Sequence, residues 1–282
     1  MYTLLRKVLI LLSDIEQIFS ASYKHPKRGE MFRAYMRLRV KASLSRWFHF
    51  KKEHFLSYTV EFPDYEIFFT TFRQVFVRHA YYFETDVAEP VIIDCGGNIG
   101  MSVLYFKYLY PQAHITVFEP SREVLPSIRN NIATNKLTDV VLVEKAVSDT
   151  VGTATMMARG EAACGNTLKG EGMHNVKFSG ETYDVETVLL SPFVTGSVAL
   201  LKLDIEGSEG GVLRELDAAG VLGKIEAVNM EYHDIPAHTE NSLGDIIALL
   251  EKHNWRVEPF SEDAHTVYSL SLRTRRRDNT PS

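Results

Sequence analysis

An α/β fold, a mostly parallel sheet with helices on both faces behind an N-terminal helical appendage, is what this sequence predicts. Three observations carry the prediction. From Pro90 onward, short apolar runs alternate with amphipathic helical segments, the pattern of parallel strands joined by crossover helices. The run Val91–Asp94 ends in a glycine-rich turn, Asp94-Cys95-Gly96-Gly97-Asn98-Ile99-Gly100, placed before a helix. Finally, residues 1–53 hold twelve Lys/Arg against four Asp/Glu, whereas residues 54–272 carry a net charge of −16. The predicted division is therefore a basic helical appendage at 1–53 and one catalytic-sized domain at 54–282.

Within the appendage, Leu4, Leu5, Val8, Leu11, Leu12, Ile15 and Phe19 recur at helical spacing. The uninterrupted apolar run Val8–Leu12 is too short to span a bilayer, which takes about 20 residues. Asp14 and Glu16 interrupt any signal-peptide core. The segment reads as an amphipathic helix that packs on the domain or on a second subunit, with a membrane surface as the alternative. A second helix is predicted over Arg28–Phe48, after Lys24-His25-Pro26-Lys27. Tyr58–Phe62 and Glu66–Thr71 then read as a hairpin around Pro63-Asp64.

The alternating region follows in order. Strand Val91–Asp94 leads to helix Ile99–Leu109, and strand His114–Phe118 to helix Ser121–Asn135 with Ser121 as its N-cap. Strand Val140–Lys145 is followed by an extra β element at Gly152–Met157. Gly160–Gly180, with Cys164, Asn166, Lys169 and His174, is irregular and reads as a substrate lid. Strand Val198–Asp204, helix Ser208–Ala219, strand Ile225–Glu231 and helix Ser242–His253 come next. Strands near Arg256–Pro259 and Thr266–Leu272, without a helix between them, suggest a closing antiparallel hairpin.

Composition narrows the class. With 45% apolar and 24% charged residues in 282, the chain is ordinary for a soluble globular protein able to bury a large core. Two distant cysteines, Cys95 and Cys164, exclude a disulfide framework and point to a reducing, cytoplasmic setting. The basic appendage leaves the inner face of a membrane open as a peripheral location. An acidic body argues against a nucleic-acid partner.

The polar clusters all fall at the carboxyl ends of predicted strands, where open α/β sheets bind ligands. The spacing D-x-G-x-N-x-G (Asp94, Gly96, Asn98, Gly100) is not the dinucleotide G-x-G-x-x-G. Glycines permit close approach of a ligand, and the following helix start offers N–H groups. Glu119 ends the second strand, where a carboxylate can accept from both ribose hydroxyls of an adenosine; capping the next helix is its alternative. Lys202, Asp204 and Glu206 alternate to one side of an otherwise buried strand, so they pair with one another or line the cleft. Glu231 and His233 share a side at the end of the next strand, and His233 suits a general base. A divalent cation on Asp204, Glu231 and Glu206 is a second option, although no tight ligand motif is visible.

These motifs together resemble the FkbM family of S-adenosylmethionine-dependent methyltransferases. The residues are Asp94-x-Gly96-x-Asn98-x-Gly100, Phe118-Glu119-Pro120, Ala146-Val147-Ser148-Asp149 and Leu201–Glu209, within a resemblance spanning about Val75 to His233. It implies a class I methyltransferase fold, Rossmann-like, with a seven-stranded sheet whose last strand is antiparallel. It further implies that the loop with Gly96, Gly97, Asn98 and Gly100 faces the methionine part of the cofactor, Glu119 beside Pro120 the ribose, and Ser148-Asp149 the adenine. Tyr81, in His79-Ala80-Tyr81, stands where the family often has Gly-Glu-Tyr and would complete the cofactor set. Asp94 would face the positive sulfonium, or else order the glycine loop. Backbone N–H groups of the loop and helix start would meet the methionine carboxylate. Asp204 would lie near the transferred methyl and Glu206 near the acceptor. O-methylation of a hydroxyl on a sugar, glycan or natural-product-like small molecule is the implied reaction. N-methylation, a nicotinamide-dependent oxidoreductase and a non-catalytic protein that binds membranes or partners are the alternatives.

Overall fold

The structure, a computed structural model, describes residues 2–20, 27–157, 181–233, 242–260 and 269–276. The expected lid at 160–180 lies outside the described residues. The chain separates into two compact units, Met1–Tyr82 and Phe83–Ser282. The boundary thus falls after Tyr82 rather than after residue 53, because the segment from 54 to 82 packs with the helices before it.

In the first unit, α1 (Tyr2–Phe19) and α2 (Arg28–Leu44) precede a two-stranded hairpin, β1 (Lys52–Phe55) and β2 (Tyr58–Glu61), and then α3 (Tyr65–Phe72). This corrects the hairpin expected around Pro63-Asp64. The turn is at Leu56-Ser57, where Leu56 takes a positive φ of 48°. Asp64 instead caps α3, accepting from the Ile67 N–H at 2.9 Å. Aromatics at 65, 68, 69 and 72 sit at helical spacing and are buried, so their period outweighs their strand propensity. A π-helical turn, Arg73–Val77, follows.

One buried carboxylate ties this unit together. Asp14 accepts from Tyr35 Oη (2.8 Å), Arg73 Nε (2.6 Å) and Nη2 (3.1 Å), and Arg78 Nε (3.0 Å). Burial favours the neutral acid, but the Arg73 and Arg78 guanidinium groups and the Tyr35 hydroxyl outweigh it and hold the carboxyl below its ordinary range.

In the second unit, a seven-stranded sheet has the order β11-β12-β10-β9-β3-β4-β5. Its strands are β3 (Val91–Cys95), β4 (His114–Phe118), β5 (Val140–Val143), β9 (Leu200–Leu203), β10 (Val228–His233), β11 (Trp255–Phe260) and β12 (Ser269–Arg276). β5, β4, β3, β9 and β10 are mutually parallel, and β12 runs antiparallel to both strands that flank it, β10 and β11. The expected α/β class and closing hairpin are therefore present. Helices α4 (Met101–Leu109), α5 (Leu125–Thr134), α6 (Glu209–Ala218) and α7 (Leu243–Lys252) make the crossovers. Leu201, Leu203, Leu213, Leu216, Met230 and Trp255 contribute to the core cluster beneath the β9–β10 half of the sheet. A second, three-stranded sheet joins β6 (Ala146–Val147), β8 (Thr182–Val188) and β7 (Gly152–Met157). β7 is the extra β element, whereas β8 was not anticipated.

Asp14→Ala removes the buried carboxylate that pairs with two partly buried guanidinium groups and is expected to destabilise the first unit by about 3 kcal/mol. Since the Asp14 carboxyl titrates below its ordinary value, its contribution is present above about pH 4 and fades as the pH falls further. Urea unfolding of wild type and variant at neutral and acid pH checks both statements. A difference that stays constant with pH would count against the network.

Candidate active site

The carboxyl ends of β3, β4, β9 and β10 bring together the polar residues singled out by sequence. Register explains the first contact. Asp94 on β3 is the cross-strand partner of Lys202 on β9. Both side chains are buried, with Lys202 Nζ 3.0 Å from Asp94 Oδ1 and 3.8 Å from Asp204 Oδ2. Lys202 Nζ also donates to the carbonyls of Gly96 (2.8 Å) and Cys95 (3.3 Å), and Asp94 Oδ2 accepts from Ser102 Oγ at 2.5 Å. Burial alone would depress the ammonium, but the Asp94 and Asp204 charges win and raise its affinity for the proton. Asp94 is thus sealed into an ion pair that orders the glycine loop. That contact fits the loop-ordering alternative for this residue, which is compatible with a place beside the cofactor.

The loop itself is set by steric contact. Gly96 has φ +92°, and a Cβ there would lie 2.0 Å from the Asp204 carbonyl oxygen. A Cβ on Gly97 would lie 2.3 Å from the Val117 side chain. The N–H groups of Gly96 and Gly97 both donate to Phe118 O (3.0 Å), and that of Gly100 to Gly97 O (2.7 Å). Asn98 N–H donates to Glu119 Oε2 (2.6 Å), and Ile99 N–H to the Asn98 side chain (2.7 Å). Every N–H from Gly96 to Gly100 is spent inside the protein. The expectation that this loop meets a ligand carboxylate with its own N–H groups is corrected accordingly. Helix geometry instead leaves donors over in the first turn of α4, beginning at Met101.

Glu119, buried at the end of β4, accepts from Asn98 N–H through Oε2 and from Ser121 N–H through Oε1 (2.8 Å). Burial pushes its carboxyl up to about 7, although both N–H bonds pull the other way. Each oxygen keeps a further lone pair for an external donor. Ser121 does not cap a helix directly: its hydroxyl bonds Glu123 (2.8 Å), and α5 begins four residues later, with Pro126 in its first turn. Pro120 is half-buried between these two. Ser148 and Asp149 follow β6, with Ser148 N–H on Val188 O (2.9 Å) and the Asp149 carboxylate against Gly211 of α6. Tyr81 is half-buried and belongs to the first unit.

The second cluster centres on His233, which is buried at the end of β10. Its Nδ1 lies 3.0 Å from Glu209 Oε1, and its Nε2 lies 3.5 Å from Glu206 and 3.8 Å from Glu231. Glu209 is fully buried and also accepts the Gly207 N–H on both oxygens (3.1 Å). Glu206 itself takes a left-handed φ of +54°, uncommon for a side chain of its kind. Burial would favour the neutral imidazole, yet the Glu206 and Glu209 carboxylates outweigh it and raise the ring well above its usual value. Carboxylates thus stand at both ring nitrogens, Glu209 at Nδ1 and Glu206 at Nε2. Ligand atoms of Asp204, Glu206 and His233 lie within 4.8 Å of one another. Glu231, expected in a cation set, is outside that group. Glu209 was missed as a site residue because an acid at a helix start reads as a dipole partner.

A family model described as the methyltransferase FkbM domain matches residues 94–257. The chain belongs to the FkbM methyltransferase family. Methyltransferase sdnD of Sordaria araneosa is 28% identical over 175 residues, covering 52% of this chain and 68% of that protein. The 31-O-demethyl-FK506 methyltransferase FkbM of Streptomyces tacrolimicus is 27% identical over 216 residues, covering 66% and 81%. Among solved structures, methyltransferase FkbM from Methylobacillus flagellatus superposes with a TM-score of 0.50 at 13% identity. That match covers 71% of this chain and 47% of the other, so the chain spans about half of that structure's length. The fold is that of a methyltransferase domain, as the motifs implied.

Two measurements check this electrostatic frame. Lys202→Met leaves Asp94 buried without a counter-ion and is expected to cost about 3 kcal/mol, part of which Asp94→Asn restores in the double variant. Additive losses in a denaturation cycle would contradict the pairing. Glu119, with its folded value above the unfolded one, contributes stability that is fully present below about pH 4.5 and lost as the pH rises through about 7. Glu119→Gln should remove that slope, by up to ~3 kcal/mol between the two limits. A thermal-melt series across pH in which the two proteins run parallel would contradict it.

Proposed function

We propose that this chain is an S-adenosylmethionine-dependent O-methyltransferase acting on a hydroxyl of a sugar, glycan or natural-product-like small molecule. One observation carries the reading: Glu119 stands buried at the end of β4 with lone pairs left over, hydrogen-bonded to the glycine loop beside it. That arrangement fits the ribose of an adenosine, whose two hydroxyls need a carboxylate acceptor. The loop's glycines keep its wall bare of side chains, and Ser148-Asp149 stand as the adenine side by family resemblance. Support for oxygen as the acceptor comes from the relative named as a 31-O-demethyl-FK506 methyltransferase. Family membership displaces the nicotinamide oxidoreductase reading.

The cofactor supplies an electrophilic methyl group on a positively charged sulfur. The chain's own work is to bind, orient and manage a proton. Asp204, Glu206, Glu231 and His233 line the acceptor side, where they would orient a hydroxyl and take up its proton. Glu209 is a positioning residue: it fixes the His233 ring through Nδ1 and turns Nε2 towards Glu206.

A second reading of the same cluster places a divalent cation on Asp204, Glu206 and His233, because their ligand atoms lie close enough together for one ion. The ring proton would leave as the ion binds.

Calorimetry with S-adenosylmethionine is the first test, with Glu119→Ala expected to weaken binding at least about tenfold. No binding by the wild type would sink the proposal. Transfer of labelled methyl to hydroxylated acceptors, with and without chelator, then separates the two readings. Loss with chelator and recovery on adding Mg²⁺ favours the cation. Turnover only on amine acceptors, with His233→Ala nearly unchanged, would assign nitrogen instead.

A further inference from the structure

We infer that the first unit docks in-plane on an anionic lipid bilayer through the outer stripe of α1 and the end of α2. On α1, Leu5, Leu9 and Leu12 are 57%, 57% and 56% exposed, with Val8 at 42% and Phe19 at 50%. At about 100° per residue these five positions fall on one arc of about 100°. Asp14 and Ile18, fully buried, lie on the opposite side and hold the helix to its unit. The stripe therefore faces solvent because the other face is committed.

The end of α2 continues the same character. The Asp14–Tyr35 hydrogen bond and the Phe19–Phe32 ring contact set α1 and α2 antiparallel. Antiparallel packing puts the N-terminal half of α1 at the end of α2 that leads to Trp47 and Phe48, which are 65% and 57% exposed. Most of the exposed large hydrophobic residues in the described chain fall between Leu5 and Phe48, a concentration that marks an interaction surface.

Charge selects the occupant. Residues 1–82 carry a net +7, whereas residues 83–282 carry a net −12. Arg33, Arg37, Arg46 and Lys51 are exposed on the same unit. A second copy seated face to face would set +7 against +7. An anionic bilayer satisfies both features, taking the leucines among its acyl chains and the basic groups at its headgroups. Trp47 suits the interface between them. Insertion is in-plane, since no helix among the described residues is long and apolar enough to cross a membrane.

Co-sedimentation of the full chain with vesicles of phosphatidylcholine, alone or mixed with phosphatidylglycerol, tests the inference. The protein should pellet with the mixed vesicles, stay in solution with phosphatidylcholine alone, and be released at high salt. Leu9→Asp/Leu12→Asp should weaken the partition at least about tenfold. Arg33→Glu/Arg46→Glu should weaken it while leaving the apolar stripe intact. Circular dichroism and methyl transfer should be unchanged in both, since neither pair touches the buried network or the candidate active site. Absence of vesicle binding by the wild type overturns the inference. So does a dimer in analytical ultracentrifugation that Leu9→Asp/Leu12→Asp dissolves, which would make the occupant a second copy.

Discussion

The geometry of the candidate site depends on one buried ammonium. Lys202 Nζ sits where β3 and β9 end, against Asp94, and reaches the carbonyls of Cys95 and Gly96. Hydrocarbon of similar volume could replace an ion pair at little cost to stability. It could not donate to those two carbonyls: Cys95 O would keep only the Asp204 N–H, and Gly96 O would lose its Lys202 donor, at about 1–3 kcal/mol for a buried group left unpaired. Lys202 is therefore demanded by the loop more than by the sheet. Once the loop is held, Gly96 must be glycine because the Asp204 carbonyl fills the space a Cβ would take. Asn98 then presents its N–H to Glu119, so one cation governs the shape of the wall from β9 to β4.

Much of this was legible in the sequence, and the illegible part has a physical cause. Strand and helix alternation, the glycine turn and the strand-end acids depend on local period and residue type, so they can be read without coordinates. Pairing of Asp94 with Lys202 depends on register between strands over a hundred residues apart. Alternation could only set Lys202 beside Asp204 and Glu206 on its own strand. Asp204 does lie within 3.8 Å, but Asp94 is the closer partner. Likewise the aromatics from Tyr65 to Phe72 have strand-like composition and helical spacing. The Pro63-Asp64 pair resembles a hairpin turn until the Asp64 side chain is seen capping Ile67.

Glu209 shows a subtler limit. Its chain position, first in α6, gives it an ordinary reason to exist as an acid at a positive helix end. Its side chain instead turns back to the Gly207 N–H and the His233 ring. The signal was present as a crowding of polar groups from Asp204 to Glu209, denser than a loop between a buried strand and a helix needs. Burial of that crowd makes its charges interdependent. Acids facing both ring nitrogens favour the protonated form of His233, against the pull of burial.

The same reasoning explains why α1 shows its leucines to solvent. An ionised carboxylate is tolerated in the interior only when paired, and Asp14 has two arginines and a tyrosine around it. Turning α1 over would bury the leucine stripe but break that network, at about 3–5 kcal/mol for the unpaired charges. The network fixes which face points outward. Each exposed leucine then retains free energy of burial, about 1.5 kcal/mol or more for full removal from water. In a water-facing helix that term goes unused. Held outward on a basic unit by a dedicated buried anchor, it remains available to whatever covers the stripe.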